Sequence, residues 1–226
     1  MPEQHHSAGS CGLRRLELFT PLAEPSVDFY AAVLGWAVIA DPDGSFTGWV
    51  GDRLAAAVRP GDSPCWHVVF GGPETRSLRD PSDVDAWVDG GRVLHGPWAP
   101  EPRAGEPCWA ELMSSADTDD YWSAQLGWEV RSPSEEFLLY ESSRRGDRRA
   151  VAGRLRTLEP KLAGWMVYFA VGSVAKACER VAELGGTVLV PPTSVPTGLV
   201  ASIADPAGGV CALLESPPGW GGTWSS

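Results

Sequence analysis

No stretch of the sequence approaches the roughly 18 consecutive apolar residues that a membrane-spanning helix requires. Cysteine is scarce and unpatterned. Cys11, Cys65, Cys108, Cys178 and Cys211 are odd in number and form no CxxC pair, which fits buried thiols in a reducing compartment better than a disulfide framework. Positive charge is short as well: 18 Lys and Arg against 29 Asp and Glu leave a net charge of −11. Such a chain repels nucleic acid phosphates and anionic membrane surfaces. The one basic cluster, Arg144 to Arg149, is interrupted by Gly146 and Asp147 and reads as a solvated hairpin turn rather than a binding patch. There is no GxGxxG, no phosphate loop and no GxSxG, so nicotinamide, flavin and ATP are not indicated and no cofactor is expected. Cys65 and Cys108 precede Trp without a placed base. The opening MPEQHHSAGS has neither a basic start nor an apolar run, which predicts a chain kept in the cytoplasm.

What the 226 residues do contain is 43% apolar side chains, 21% charged ones, and repeats. That length and composition predict one compact unit or two closely joined halves. Leu34-Gly35-Trp36 recurs as Leu126-Gly127-Trp128 at an offset of 92, and Gly90-Gly91-Arg92-Val93-Leu94 recurs as Gly185-Gly186-Thr187-Val188-Leu189 at an offset of 95. Two unrelated matches at nearly one offset indicate a duplicated half. A shorter period joins Pro64-Cys65-Trp66 to Pro107-Cys108-Trp109, each opening a strand. Each half therefore holds two modules.

Periodicity gives the modules a strand, helix, then strands, βαβββ. In the last, Trp165 to Val171 is a strand, Ser173 caps a helix carrying Val174, Ala177, Cys178, Val181 and Leu184, and Gly185 closes it. Thr187 to Val190 is a strand stopped by Pro191 and Pro192, and Val200 to Ala204 and Val210 to Leu214 flank the turn Asp205-Pro206-Ala207-Gly208. The first module runs from strand Leu13 to Thr20 through helix Pro25 to Leu34 and on to Val58. The third has a helix begun by Asp117, then strands near Phe137 to Glu141 and Arg149 to Leu155. The second reads as helix Ser82 to Asp89, strand Arg92 to Leu94 and then a Pro-rich stretch to Pro107, truncated before any final hairpin. The halves are placed at 13–105 and 106–216.

The LGW, PCW, GGTVLVPP and ADPAGG segments, in this order, resemble tandem members of the vicinal oxygen chelate superfamily, which includes glyoxalase I, extradiol dioxygenases, fosfomycin- and bleomycin-resistance proteins and metal-free proteins of antibiotic gene clusters. The resemblance covers Leu13 to Glu215. It implies an α+β fold in which paired modules curl into half-open mixed sheets with helices on the outer face. It also implies a metal held by inward side chains of the first and last strands of a module. Alternation along the strands puts Arg15, Glu17 and Phe19 inside, likewise His67, likewise Trp109, Glu111 and Met113, and Met166 and Tyr168. The family's first-strand ligand position then falls on Arg15, His67, Trp109 and Met166, and the last-strand carboxylate position near Ala212 and within Ala55 to Ala57. Only His67 of these binds metals, and a lone imidazole cannot fix a coordination geometry. No metal is expected.

The remaining cleft is aromatic, with 11 Trp in the chain. Trp66, Trp109, Phe19, Met113, Met166 and Arg15 are candidate ligand contacts for a planar, oxygenated, multi-ring molecule, although Trp side chains also simply fill cores. His67, Glu17, Glu111 and Tyr168 are candidate acids and bases. Burial would raise the two carboxyl pKa values, an Arg15–Glu17 pair would be structural instead, and His67 serves equally as a hydrogen-bonded strand histidine. Tyr168 offers a phenolic donor. The expected activity is acid/base-assisted cyclisation, dehydration or acetal formation on a polycyclic aromatic, polyketide-like intermediate. The alternative is sequestration of an antibiotic without catalysis, and under either reading the protein is expected to be a monomer or homodimer. A metal-dependent lyase or dioxygenase is the third.

Overall fold

The computed structural model describes residues 11–157 and 163–221. Its first module is β1 (Gly12–Thr20), α1 (Ala23–Leu34), β2 (Ala37–Ala40), β3 (Phe46–Val50) and β4 (Arg53–Pro60), and the second is β5 (Cys65–Gly72), β6 (Arg76–Arg79) and β7 (Asp85–Gly90). The third is β8 (Pro107–Met113), α2 (Asp119–Leu126), β9 (Glu129–Arg131), β10 (Phe137–Arg144) and β11 (Asp147–Leu155). The fourth is β12 (Gly164–Val171), α3 (Val174–Glu183), β13 (Thr187–Val195), β14 (Gly198–Ala204) and β15 (Val210–Glu215). In every module the first strand runs parallel to the last. The first strands of paired modules run antiparallel, Glu17 opposite His67 and Glu111 opposite Met166. The result is a seven-stranded sheet, β2-β3-β4-β1-β5-β7-β6, and an eight-stranded one, β13-β14-β15-β12-β8-β11-β10-β9. This is the expected α+β architecture of half-open mixed sheets. Among the described residues no helix is long and apolar enough to cross a membrane.

The LGW repeat marks the same event twice. Gly35 and Gly127 end α1 and α2 at φ of +74° and +68°, a left-handed conformation that a Cβ disfavours. The following indoles turn inward, Trp36 Nε1 donating to the Gly105 carbonyl and Trp128 Nε1 to that of Cys11, both at 2.7 Å. Each repeat is thus a helix stop joined to a core anchor.

The convex faces of the two sheets share one hydrophobic core. Trp66 packs on Phe169 at 5.4 Å between centroids, and Phe70 on Trp165 at 5.6 Å. Helix α1 packs on β1, β3 and β4, and α3 on β13, β14 and β15. The concave faces therefore point away from one another.

Five sequence expectations are corrected. Ser82 to Asp89 is not a helix: Asp80 Oδ1 accepts from the Ser82 and Val84 amides at 2.8 and 3.0 Å, closing a local turn. Ala86 and Val88 then alternate inward along β7, the two-residue period of a strand. Arg92 to Leu94 is not a strand. The second module has thus kept a final hairpin, β6 and β7, and lost its helix. Pro191 and Pro192 do not stop β13; they lie within it, tolerated because it is an edge strand with register shifts on either side of Val190 and needs no donor there. Helix α2 starts at Asp119 with Thr118, not Asp117, at its N-cap. Ser173 does cap α3, accepting from the Lys176 amide at 3.5 Å.

Candidate active site on the eight-stranded sheet

A cavity of about 460 Å³ opens on the concave face of the eight-stranded sheet. Trp109 and Glu111 of β8, Tyr168 of β12, Leu155 of β11, and Val200 and Leu214 line it from the strands, and Phe137 stands at the start of β10. Pro133 and Ser134 close one side, and Val195, Pro196 and Thr197 the other. Pro133, Ser134, Pro196 and Thr197 lie outside the strands and could not be found by strand alternation, and Gly221 lies beyond the last repeat altogether.

Glu111 is the one ionisable side chain lining this cavity whose proton is held near neutrality. Burial, opposed by hydrogen bonds from Tyr168 and the Trp109 side chain, pushes its pKa from 4.5 to about 7. The Tyr168 hydroxyl donates to Glu111 Oε2 at 2.9 Å, and burial together with the neighbouring carboxylate drives the phenol pKa well upward. Tyr168 therefore stays a donor, and the Glu111 carboxyl beside it can be either protonated or ionised near neutral pH. Opposite Glu111 on β11 stands Gly153. A Cβ there would sit 3.1 Å from the Trp109 ring and 3.2 Å from both Glu111 Oε1 and the Phe137 ring. The absence of a side chain at 153 keeps these groups in place.

The remaining predicted residues fall elsewhere. Arg15 Nε donates to Glu17 Oε1 at 2.7 Å, Arg59 Nε donates to Glu17 Oε2 at 3.2 Å, and Arg15 also pairs with Asp89. Glu17 is thus clasped by two guanidinium groups. His67 is wedged edge-on between Phe19 at 5.0 Å and Trp87 at 4.5 Å. Burial outweighs the pull of Asp85 and Glu17 and lowers its pKa, so the imidazole is neutral at physiological pH. All these residues belong to the seven-stranded sheet and cannot meet Glu111 in one cleft. Met113 and Met166 share the strands and face of Glu111 but do not line the cavity.

Trp66 is a correction. It pairs across the sheet with Leu18 on the convex side, is 6% exposed, and its Nε1 donates to the Tyr30 hydroxyl at 3.4 Å. The two Pro-Cys-Trp copies present their indoles to opposite faces of their sheets, and only Trp109 reaches a cleft.

Residues 112–214 match the family of glyoxalase-like domains. Solved structures share the whole architecture. The 2,3-dioxygenase LapB of Pseudomonas sp. KL28 superposes with a TM-score of 0.61 at 13% identity, covering 93% of each chain. A Mn(II)-bound glyoxalase of Novosphingobium aromaticivorans gives 0.63 at 12% identity, over 91% of this chain and 82% of that one. The 2,2',3-trihydroxybiphenyl 1,2-dioxygenase of Sphingomonas wittichii gives 0.60 at 14%, over 91% and 90%. No curated protein matches the sequence. The fold is that of the vicinal oxygen chelate superfamily. Most of the residues that line the cavity lie within the matched segment 112–214, with Trp109, Glu111 and Gly221 just outside it.

That fold implies a divalent metal, and the residues present do not fit one. Among the described residues no three His, Cys, Asp or Glu side chains gather at one point. Around Glu111 the facing positions are Trp109, Met166, Tyr168 and Gly153, with Ala212 opposite Tyr168 on the last strand. A single carboxylate surrounded by indole, thioether and phenol leaves a hard divalent cation short of donors.

Proposed function

We propose that this protein is a metal-independent enzyme acting in the cytoplasm, whose C-terminal half (106–216) binds a planar, oxygenated, polyketide-like aromatic intermediate while the N-terminal half (13–105) supports it. The carrying observation is the Glu111–Tyr168 pair, with its 2.9 Å hydrogen bond, inside an apolar cavity. The cavity's size suits a drug-sized ligand, and Trp109 and Phe137 offer ring faces. Glu111 takes a proton from a ring hydroxyl or an acidic carbon and returns it to the leaving hydroxyl, which departs as water, or to the alkoxide that addition makes of a carbonyl oxygen, so no net proton is consumed. Tyr168 donates to the carbonyl or enolate oxygen on which charge develops. Cyclisation, dehydration and acetal formation all reduce to these transfers. The likeness in fold to a 2,2',3-trihydroxybiphenyl 1,2-dioxygenase, named for an aromatic substrate, favours an aromatic ligand.

The test is turnover of polycyclic phenolic intermediates by protein treated with EDTA. Conversion that survives EDTA and is lost in Glu111→Gln supports the reading. Conversion that EDTA abolishes and Mn(II) restores would replace it with metal-dependent chemistry. Tight binding without turnover would establish sequestration, a reading that the predominantly apolar lining also favours.

A further inference from the structure

A second cavity of about 460 Å³ lies at the seam between the sheets and shares no lining residue with the first. One side is the segment linking the two sheets, with Val93 and Trp98; the other is the tip of the β10–β11 hairpin, Ser142 to Arg145, with Val151 behind it. The sides are tied together, since Arg149 Nη1 donates to the Pro97 carbonyl at 2.8 Å.

The hairpin treats its arginines unequally. Arg148 pairs with Glu129 and Glu141, and Arg149 with Asp147. Arg144 and Arg145, both lining the cavity, have no side-chain partner among the described residues. Both are exposed at the hairpin tip, and in a chain with 29 carboxylates and a net charge of −11 two such guanidinium groups at one cavity make it a locally cationic spot that attracts an anion. A second observation is independent of charge. Ser142 is 2% exposed, lines the same cavity, and its hydroxyl has no hydrogen-bond partner. A buried hydroxyl left unpaired costs stability that a ligand oxygen would return. Half-buried Trp98 adds a flat aromatic face, and Val93 and Val151 add apolar surface.

We propose that the seam cavity is a second binding site, for a small planar organic anion such as an aromatic carboxylate. The carboxylate accepts from Arg144, Arg145 and the Ser142 hydroxyl, and the ring lies against Trp98. A seam between two halves is a common place for such a site, and occupancy there would tie the hairpin to the linking segment.

The experiment follows indole N–H resonances of the full-length ¹⁵N-labelled protein, with Trp98 assigned through Trp98→Phe and Trp109, which reports the first cavity, through Trp109→Phe. Benzoate should shift the Trp98 signal saturably. Benzyl alcohol, of similar shape but neutral, and inorganic phosphate, charged but ringless, should leave it nearly unmoved. The double variant Arg144→Gln/Arg145→Gln should weaken benzoate by about tenfold or more with the remaining spectrum unchanged, and Ser142→Ala should weaken it by less. A Trp98 signal that ignores benzoate, that answers benzyl alcohol or phosphate equally, or that keeps its benzoate affinity in the double variant would overturn the proposal. Shifts confined to Trp109 would do so as well.

Discussion

The two concave faces are built by the same strand pairing yet hold their charges in opposite ways. On the seven-stranded sheet Glu17 accepts from Arg15 and Arg59, and Arg15 reaches on to Asp89. Every charged group in that set has found a partner within the protein. On the eight-stranded sheet Glu111 has only a phenol and an indole beside it, in a cavity left open by Gly153. Duplication supplied two clefts, and the second retained an unneutralised acid. A carboxylate satisfied by arginines stiffens a sheet, whereas one held by neutral donors in an apolar pocket is ready to move a proton.

That contrast is most sharply broken at Glu111. Glu111→Gln should reduce turnover by about 10²–10⁴-fold while ligand affinity persists, as measured by steady-state kinetics beside a binding titration. Trp66→Ala tests the shared core instead and should cost about 3–5 kcal/mol in denaturant unfolding, with the residual folded protein keeping its ligand affinity. Proton linkage gives the next effect. Because burial raises the Glu111 pKa from 4.5 to about 7, the folded state holds that proton more tightly than the unfolded chain. Stability therefore falls as pH rises through that window, and the whole penalty stands above it. Glu111→Gln removes the penalty, so the variant should exceed the parent by up to about 3 kcal/mol above pH 7, with the gap closing below pH 4.5. Gly153→Val should crowd Trp109, Glu111 and Phe137 and weaken an aromatic ligand by about tenfold, read by calorimetry. Smallest of all, His67→Ala should leave turnover at the parental rate, since its cleft faces the other way.

The fold was legible because its signals are local. Leu-Gly-Trp marks a helix stop that only a left-handed residue permits, and alternation along β1, β8 and β12 gave the correct inward sides for Glu17, Glu111 and Tyr168. Legibility failed where a local pattern was ambiguous or a long-range one decided. Val84, Ala86 and Val88 alternate over too short a span to separate strand from helix, and pairing with β5 settled it. Trp66 is a candidate only as an aromatic side chain of a first strand, against the parity that puts His67 inward and its neighbour outward. Which module pairs with which, and hence that His67 and Glu111 occupy separate faces, depends on contacts between strands remote in sequence. Pro133, Ser134 and the β13–β14 hairpin reach the cavity only through the curl of the sheet.

The titration of Glu111 tests the central claim most directly. A ¹³Cδ NMR titration of the metal-free protein should show its carboxyl with a midpoint near pH 7, displaced when a polycyclic phenol fills the cavity. A midpoint in the ordinary carboxylate range, unchanged by such a ligand, would contradict the account.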